Sequence, residues 1–189
     1  MLHPRRQAEA FETRRPDSVS LRPGEPLIWR RIAPRLPEFE LLRGDETVGD
    51  MAKSIRTDFT AVGLCLGEEW EIALKRRPFR KVRIHLEKPD QHQVGCTYEG
   101  FFYGRGWIKS PSGSRFRWRT PFARIYDHAL EAEAGVRLMR FRPAFLRFFR
   151  TETRVELYPP ALEILELPQL ILLSWFLRIH AEKRGRRVF

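Results

Sequence analysis

The chain has 189 residues, 42% of them hydrophobic, and a formal net charge of +11 that comes mainly from arginine. The length suits one globular domain with its own core, and a basic excess bears on solubility and on association with anionic partners rather than on fold. Two cysteines, Cys65 and Cys96, are too few for an all-cysteine zinc site and have no C-x-x-C spacing.

Residues 1–26 contain Pro4, Pro16, Pro23 and Pro26 among charged residues and show no apolar periodicity. They read as a disordered N-terminal tail. Met1 to Arg6 lead into no apolar run, so the N-terminus does not read as a secretory signal.

From Leu27 the pattern changes to short alternating runs between turns. Leu27–Ile32 and Phe39–Arg43 are the first two predicted strands, the second closed by Gly44-Asp45. Thr47–Ile55 and Phe59–Leu66 follow, then a predicted turn at Gly67-Glu68-Glu69. In Trp70–Lys75, Trp70, Ile72 and Leu74 share one face, with Glu71 and Lys75 on the other. Val82–Leu86 alternates again, placing Arg83 and His85 outward. Val94–Phe102 runs into Gly104-Arg105-Gly106, and Gly106–Lys109 leads to the turn Ser110–Gly113. Arg115–Arg119 alternates most sharply: Phe116 and Trp118 inward, three arginines outward. Phe122–Leu130, Val136–Phe141 and Thr153–Tyr158 complete about twelve strands, a count that predicts a closed antiparallel β-barrel or a sandwich.

Tyr158-Pro159-Pro160 ends the last strand, because proline cannot donate to a ladder. Pro168 fits the first turn of a helix, and Gly185 is a stop. Between them Leu170 to Ile179 leave no polar face. Such a helix is either a membrane span or the centre of a protein. The run from Leu167 to Ile179 falls short of the ~20 apolar residues a span needs, so it reads as a core helix, with a tail anchor as the alternative. The strands are expected to wrap around it. The domain is then residues 27–182, a monomer, followed by a basic tail over 183–189.

Three stretches carry a family likeness: Trp70-Glu71-Ile72; Gly104-Arg105-Gly106-Trp107-Ile108 through Gly113 to Phe116-Arg117-Trp118; and Leu170 to Ile179. In layout, over roughly Leu27 to His180, the chain resembles the tubby C-terminal-like superfamily, which includes the tubby domain, the LURP-one-related proteins and the phospholipid scramblases. The resemblance implies a closed barrel of about twelve strands around a central C-terminal helix, a link to membrane lipids and no established enzymatic activity. The phosphoinositide- and calcium-binding residues of those families have no match here, and none is carried over.

Chemical motifs are sparse. There is no Gly-x-Ser-x-Gly elbow, and Asp45, Asp50 and Asp90 lack calcium-loop spacing. No cofactor is expected. His85 and His92 flank a turn near Cys96, a weak metal constellation beside the reading of solvent-facing strand positions. His180 reads as a cap compatible with the helix dipole. Gly100, Gly104 and Gly106 read as bulges or sharp bends at a barrel corner, since no helix follows to make a phosphate site. Both cysteines read as small buried residues, free thiols in a reducing compartment, with a disulfide left open.

Basic clusters are the functional material: Arg80, Lys81 and Arg83; Arg115, Arg117 and Arg119; Arg147 and Arg150. Phe145, Phe148 and Phe149 lie beside the last pair and suit a loop that dips into an anionic membrane surface, or one that covers a barrel end. Nucleic acid would use the same arginines, but Phe116 and Trp118 point away from them and are unavailable for stacking. The expected function is a non-enzymatic binding module, cytoplasmic or peripheral at a membrane. Its expected contact is an anionic lipid surface or a protein partner, with nucleic acid as the alternative.

Overall fold

The computed structural model describes residues 21–22, 24–33, 37–54, 60–76, 81–88, 93–101, 103–120, 127–143 and 152–185. Twelve strands follow in order: β1 (Leu27–Arg31), β2 (Glu38–Arg43), β3 (Glu46–Lys53), β4 (Thr60–Cys65), β5 (Glu68–Arg76) and β6 (Lys81–Glu87). The second half comprises β7 (Val94–Phe101), β8 (Arg105–Lys109), β9 (Arg115–Arg119), β10 (His128–Ala132), β11 (Arg137–Pro143) and β12 (Thr153–Leu157). Each pairs antiparallel with its neighbours in sequence, and β1 pairs with β12, as in Leu27↔Val155 and Trp29↔Thr153. The barrel is closed and no sheet edge is left open.

A 3-10 turn over Pro159–Glu163 leads from β12 to the helix α1 (Leu167–Gly185). The first helical bond runs from the Leu170 amide to the Glu166 carbonyl, so Pro168 sits in the first turn, where a missing N–H costs nothing. Every residue from Glu166 to His180 is buried. Trp175 stacks on Trp29 of β1 at 5.1 Å and meets the edge of Phe39 of β2 at 5.4 Å. On another side, a Cβ on Gly63 of β4 would lie 2.7 Å from the tip of the Leu172 side chain, so glycine lets the helix approach closely there without displacing that side chain. The Gln169 carboxamide oxygen accepts from the Cys96 amide of β7 at 2.8 Å. The helix thus fills the barrel. Each buried large apolar side chain contributes roughly 1.5–3 kcal/mol, and a run of them is large against a net stability of ~5–15 kcal/mol. No helix among the described residues is long and apolar enough to cross a membrane; the run with the tail-anchor alternative is enclosed by the strands.

Alternating direction gives the barrel two unlike ends. At the foot, where α1 begins, lie the turns Gly44-Asp45, Leu66-Gly67 and Ser110–Ser114. At the crown, towards which α1 runs, β1 joins β2, β3 joins β4, and so on to β11 and β12.

Several expectations are corrected. The β4–β5 turn is Leu66-Gly67, with φ of 51° and 84°, and Glu68 and Glu69 already belong to β5. Two positive φ values match the strand twist in a two-residue hairpin, which a larger turn would not need. The tenth strand is His128–Ala132 rather than Phe122–Leu130; residues 121–126 lie outside the described residues. Gly100 and Gly106 form no bulge. They pair directly across β7 and β8, and the Tyr98 ring occupies the space their side chains would take: a Cβ on Gly106 would lie 2.5 Å from it. The Tyr98 hydroxyl then donates to the Arg105 carbonyl at 2.8 Å. Of the expected tail, residues 1–20 and Pro23 lie outside the described residues, while Leu21 is partly buried against the core. At the other terminus α1 extends to Gly185, past the expected boundary at 182.

Candidate functional site: a basic outer face on β8 and β9

The strands Arg105-Gly106-Trp107-Ile108-Lys109 and Arg115-Phe116-Arg117-Trp118-Arg119 lie side by side. Ile108, Phe116 and Trp118 point inward and are buried. Trp118 is fixed further: its indole N–H donates to the Tyr103 carbonyl at 2.7 Å, and its ring stacks on His128 at 5.2 Å. With the inner face locked, alternation directs Arg105, Trp107, Lys109, Arg115, Arg117 and Arg119 outward. Two adjacent strands therefore present five basic side chains and no carboxylate.

Neighbouring strands supply some counter-charge. Arg115 meets Glu133 at 3.2 Å, Arg119 meets Glu131 at 3.1 Å, and Arg83 on β6 pairs with Glu99 on β7. The Arg115–Glu133 pair is exposed on both sides, 43% and 59%, so it is worth ~0–1 kcal/mol and yields readily to another anion; Arg119 is half exposed, but its partner Glu131 is buried and holds it more firmly. Among the described residues, Arg117 and Lys109 have no ion pair. The Arg115 guanidinium lies over the Trp107 ring, 4.6 Å from its centroid, a cation–π contact that pre-orders both groups.

The expected cluster is brought together in part. Arg115, Arg117 and Arg119 line β9, and Arg83 lies two strands beyond β8. Lys81 is placed by register opposite Phe101. Arg80, Arg147, Arg150, Phe145, Phe148 and Phe149 lie outside the described residues. Two aromatic residues were missed by reading only Phe116 and Trp118. Trp107 shares the outer face with the arginines, and Phe101, opposite Arg105 at the end of β7, is 60% exposed. The signal was present in Trp107-Ile108-Lys109: with Ile108 inward, Trp107 has to face out. Aromatic groups are thus available beside the cations.

The metal constellation does not form. Cys96 points into the barrel with no exposure, whereas His85 lies on the outer side of β6; His92 lies outside the described residues. No group of three or more potential ligands occurs among the described residues. His85 is outward as alternation required but is buried, with its Nε2 2.8 Å from Glu87. His180 is not a terminal cap, because the helix continues past it. Its Nδ1 donates to the Phe176 carbonyl at 2.8 Å and its Nε2 accepts from Lys53 at 3.1 Å. Cys65 and Cys96 are free and buried. Burial, then Glu166 and Glu68, pushes the Cys96 thiol up to about 12, and burial likewise raises Cys65.

The chain matches no protein-family model, no curated protein and no solved structure.

Proposed function

We propose that this protein is a non-enzymatic module that binds an anionic lipid surface, peripheral to a cytoplasmic membrane face, through arginine-rich parts of its outer surface. The observation that carries the reading is the pairing of β8 with β9, five cations without a carboxylate and with Trp107 among them. The interior supports it as well: α1 occupies the barrel, so a ligand meets the wall or the ends. The strand count, the closure of β1 on β12 and the enclosed helix support a kinship with tubby C-terminal-like proteins.

Each basic side chain near an anionic bilayer contributes ~1 kcal/mol. Five give at most ~5 kcal/mol, a weak and salt-sensitive attachment. Sedimentation with vesicles of phosphatidylcholine alone and of phosphatidylcholine with phosphatidylserine tests this. Binding is expected only to the second, falling as salt is raised. Outward Trp107 favours one other reading, single-stranded nucleic acid stacked on that ring. A fluorescence titration with a short single strand at two salt concentrations, run alongside, separates the two. Binding to the strand and not to the vesicles overturns the lipid reading.

A further inference from the structure

The charge of this barrel is segregated along its axis. Take the first two and last two residues of every strand. At the crown they include ten basic residues, one of which, Lys53, is buried against the helix, and a single acidic one, Glu38; at the foot, four basic and six acidic, of which Glu156 reaches back to Arg142 and Arg154. The up-and-down strand order produces this, since it sends alternate strand ends to opposite rims. The crown cations are not confined to β8 and β9. Arg30 on β1, Lys75 on β5 and the pair Arg142 and Arg154 on β11 and β12 continue them around the ring.

Two details point to an external anion. Arg105 faces Arg119 directly across β8 and β9, and Arg142 faces Arg154 across β11 and β12. Like charges directly opposite on one face oppose folding; Glu156, 3.7 Å from Arg142 and 4.0 Å from Arg154, and Glu131, 3.1 Å from Arg119, offset this in part, and an anion lying over the rim adds to that relief. The apolar contribution is also annular. Phe101 at the end of β7 and Ile32 just after β1 are 60% and 55% exposed, and β1 and β7 lie on opposite sides of the twelve-strand ring. An aliphatic side chain cannot stack a nucleobase, but both suit a flat lipid interface. At the foot Val94, Val136 and Leu165 are exposed too, but that rim carries Glu46, Glu68, Glu69, Glu87 and Glu131, which an anionic surface repels.

We infer that the protein docks end-on, with its crown against an anionic bilayer and its axis along the membrane normal. This rests on the lipid-surface reading and changes which residues make the contact: Arg105 and Arg119 do, while Lys109 and Arg115 on the same two strands do not. Arg119 lies four positions after Arg115, about 14 Å of strand, beyond a screening length of ~8 Å at physiological salt.

Three double variants of the full chain decide the matter, measured with phosphatidylcholine–phosphatidylserine vesicles: R105Q/R119Q, K109Q/R115Q and R142Q/R154Q. End-on docking predicts a loss of about 30-fold for the first and third and less than about 3-fold for the second. Losses in the first and second with the third unchanged mean side-on contact, which overturns this inference and leaves the lipid reading standing. Equal loss in all three means attraction by net charge alone and also overturns it. No binding by the unmodified protein removes the lipid reading itself. Thermal unfolding of each variant controls for folding, because the first also removes the Arg119–Glu131 pair and the third the contacts of Arg142 and Arg154 with Glu156.

Discussion

Gln169 looks like a flaw in an apolar helix, yet the structure gives it a bond that seats the helix. On β6 and β7 the register shifts: His85 faces Thr97 but Glu87 faces Val94, so Gly95 and Cys96 together oppose Leu86. Such a bulge takes an amide out of the ladder, and the Cys96 amide donates instead to Gln169 at 2.8 Å. Gly95 keeps the approach open. A Cβ there would lie 2.6 Å from the Gln169 oxygen and 2.7 Å from the Trp70 ring. Gln169→Met keeps the volume and removes the acceptor, stranding a buried amide at a cost of about 1–3 kcal/mol. For a chain of this size that lowers Tm by roughly 2–12 °C. Gly95→Ala combines the lost bond with overpacking, about 1–3 kcal/mol more. In a Gln169→Ala background the oxygen is gone, so the Gly95→Ala penalty shrinks by at least about 1 kcal/mol. Urea unfolding of Gln169→Met and of the four proteins of the Gly95→Ala and Gln169→Ala cycle, followed by tryptophan fluorescence and circular dichroism, tests both. A Gln169→Met protein within about 0.5 kcal/mol of the parent, or a cycle additive within the same margin, refutes this account of how the helix is held.

Deleting the chain from Pro168 onward removes the helix from the barrel and is expected to abolish soluble folding, since the inward faces of β1, β2 and β4 lose their partner. A truncated protein that stays monomeric with a cooperative thermal transition contradicts it. The thiols give a pH test. The unfolded chain releases the Cys96 proton above about pH 9, whereas the folded chain holds it until about 12. Stability from this group is therefore complete below pH 9 and declines between pH 9 and 12, by at most about 1.4 kcal/mol per pH unit. Cys65, raised in the same direction, adds to the decline. At pH 8 a thiol-specific reagent should label neither cysteine until denaturant is added; rapid labelling of the native protein refutes the buried placement.

Much of the architecture is legible in the residues because it is local. Alternation has a period of two, so Arg115–Arg119 announces both faces without any knowledge of its neighbours, and its bounds agree with β9 to the residue. The run from Leu170 to Ile179 has no polar face and is too short for a bilayer, which leaves enclosure by strands as its stable environment. Other features needed partners distant in sequence. Gly100 and Gly106 look like bends until Tyr98 is seen to fill their space. His85 has the face that alternation gives it, but its burial beside Glu87 depends on what covers that face.

The sequence by itself determined the strand count, the inward and outward sets along Trp70–Lys75, Val82–Leu86 and Arg115–Arg119, the core helix and the surplus of positive charge, all consequences of side-chain periodicity and composition. Only the tertiary structure decided where that charge lies. Arg30, Arg105, Arg119 and Arg142 are scattered along the chain and share nothing in local pattern. They meet at one rim because an antiparallel meander closed on itself returns every second strand end to the same side, and connectivity of that kind is a property of the pairing.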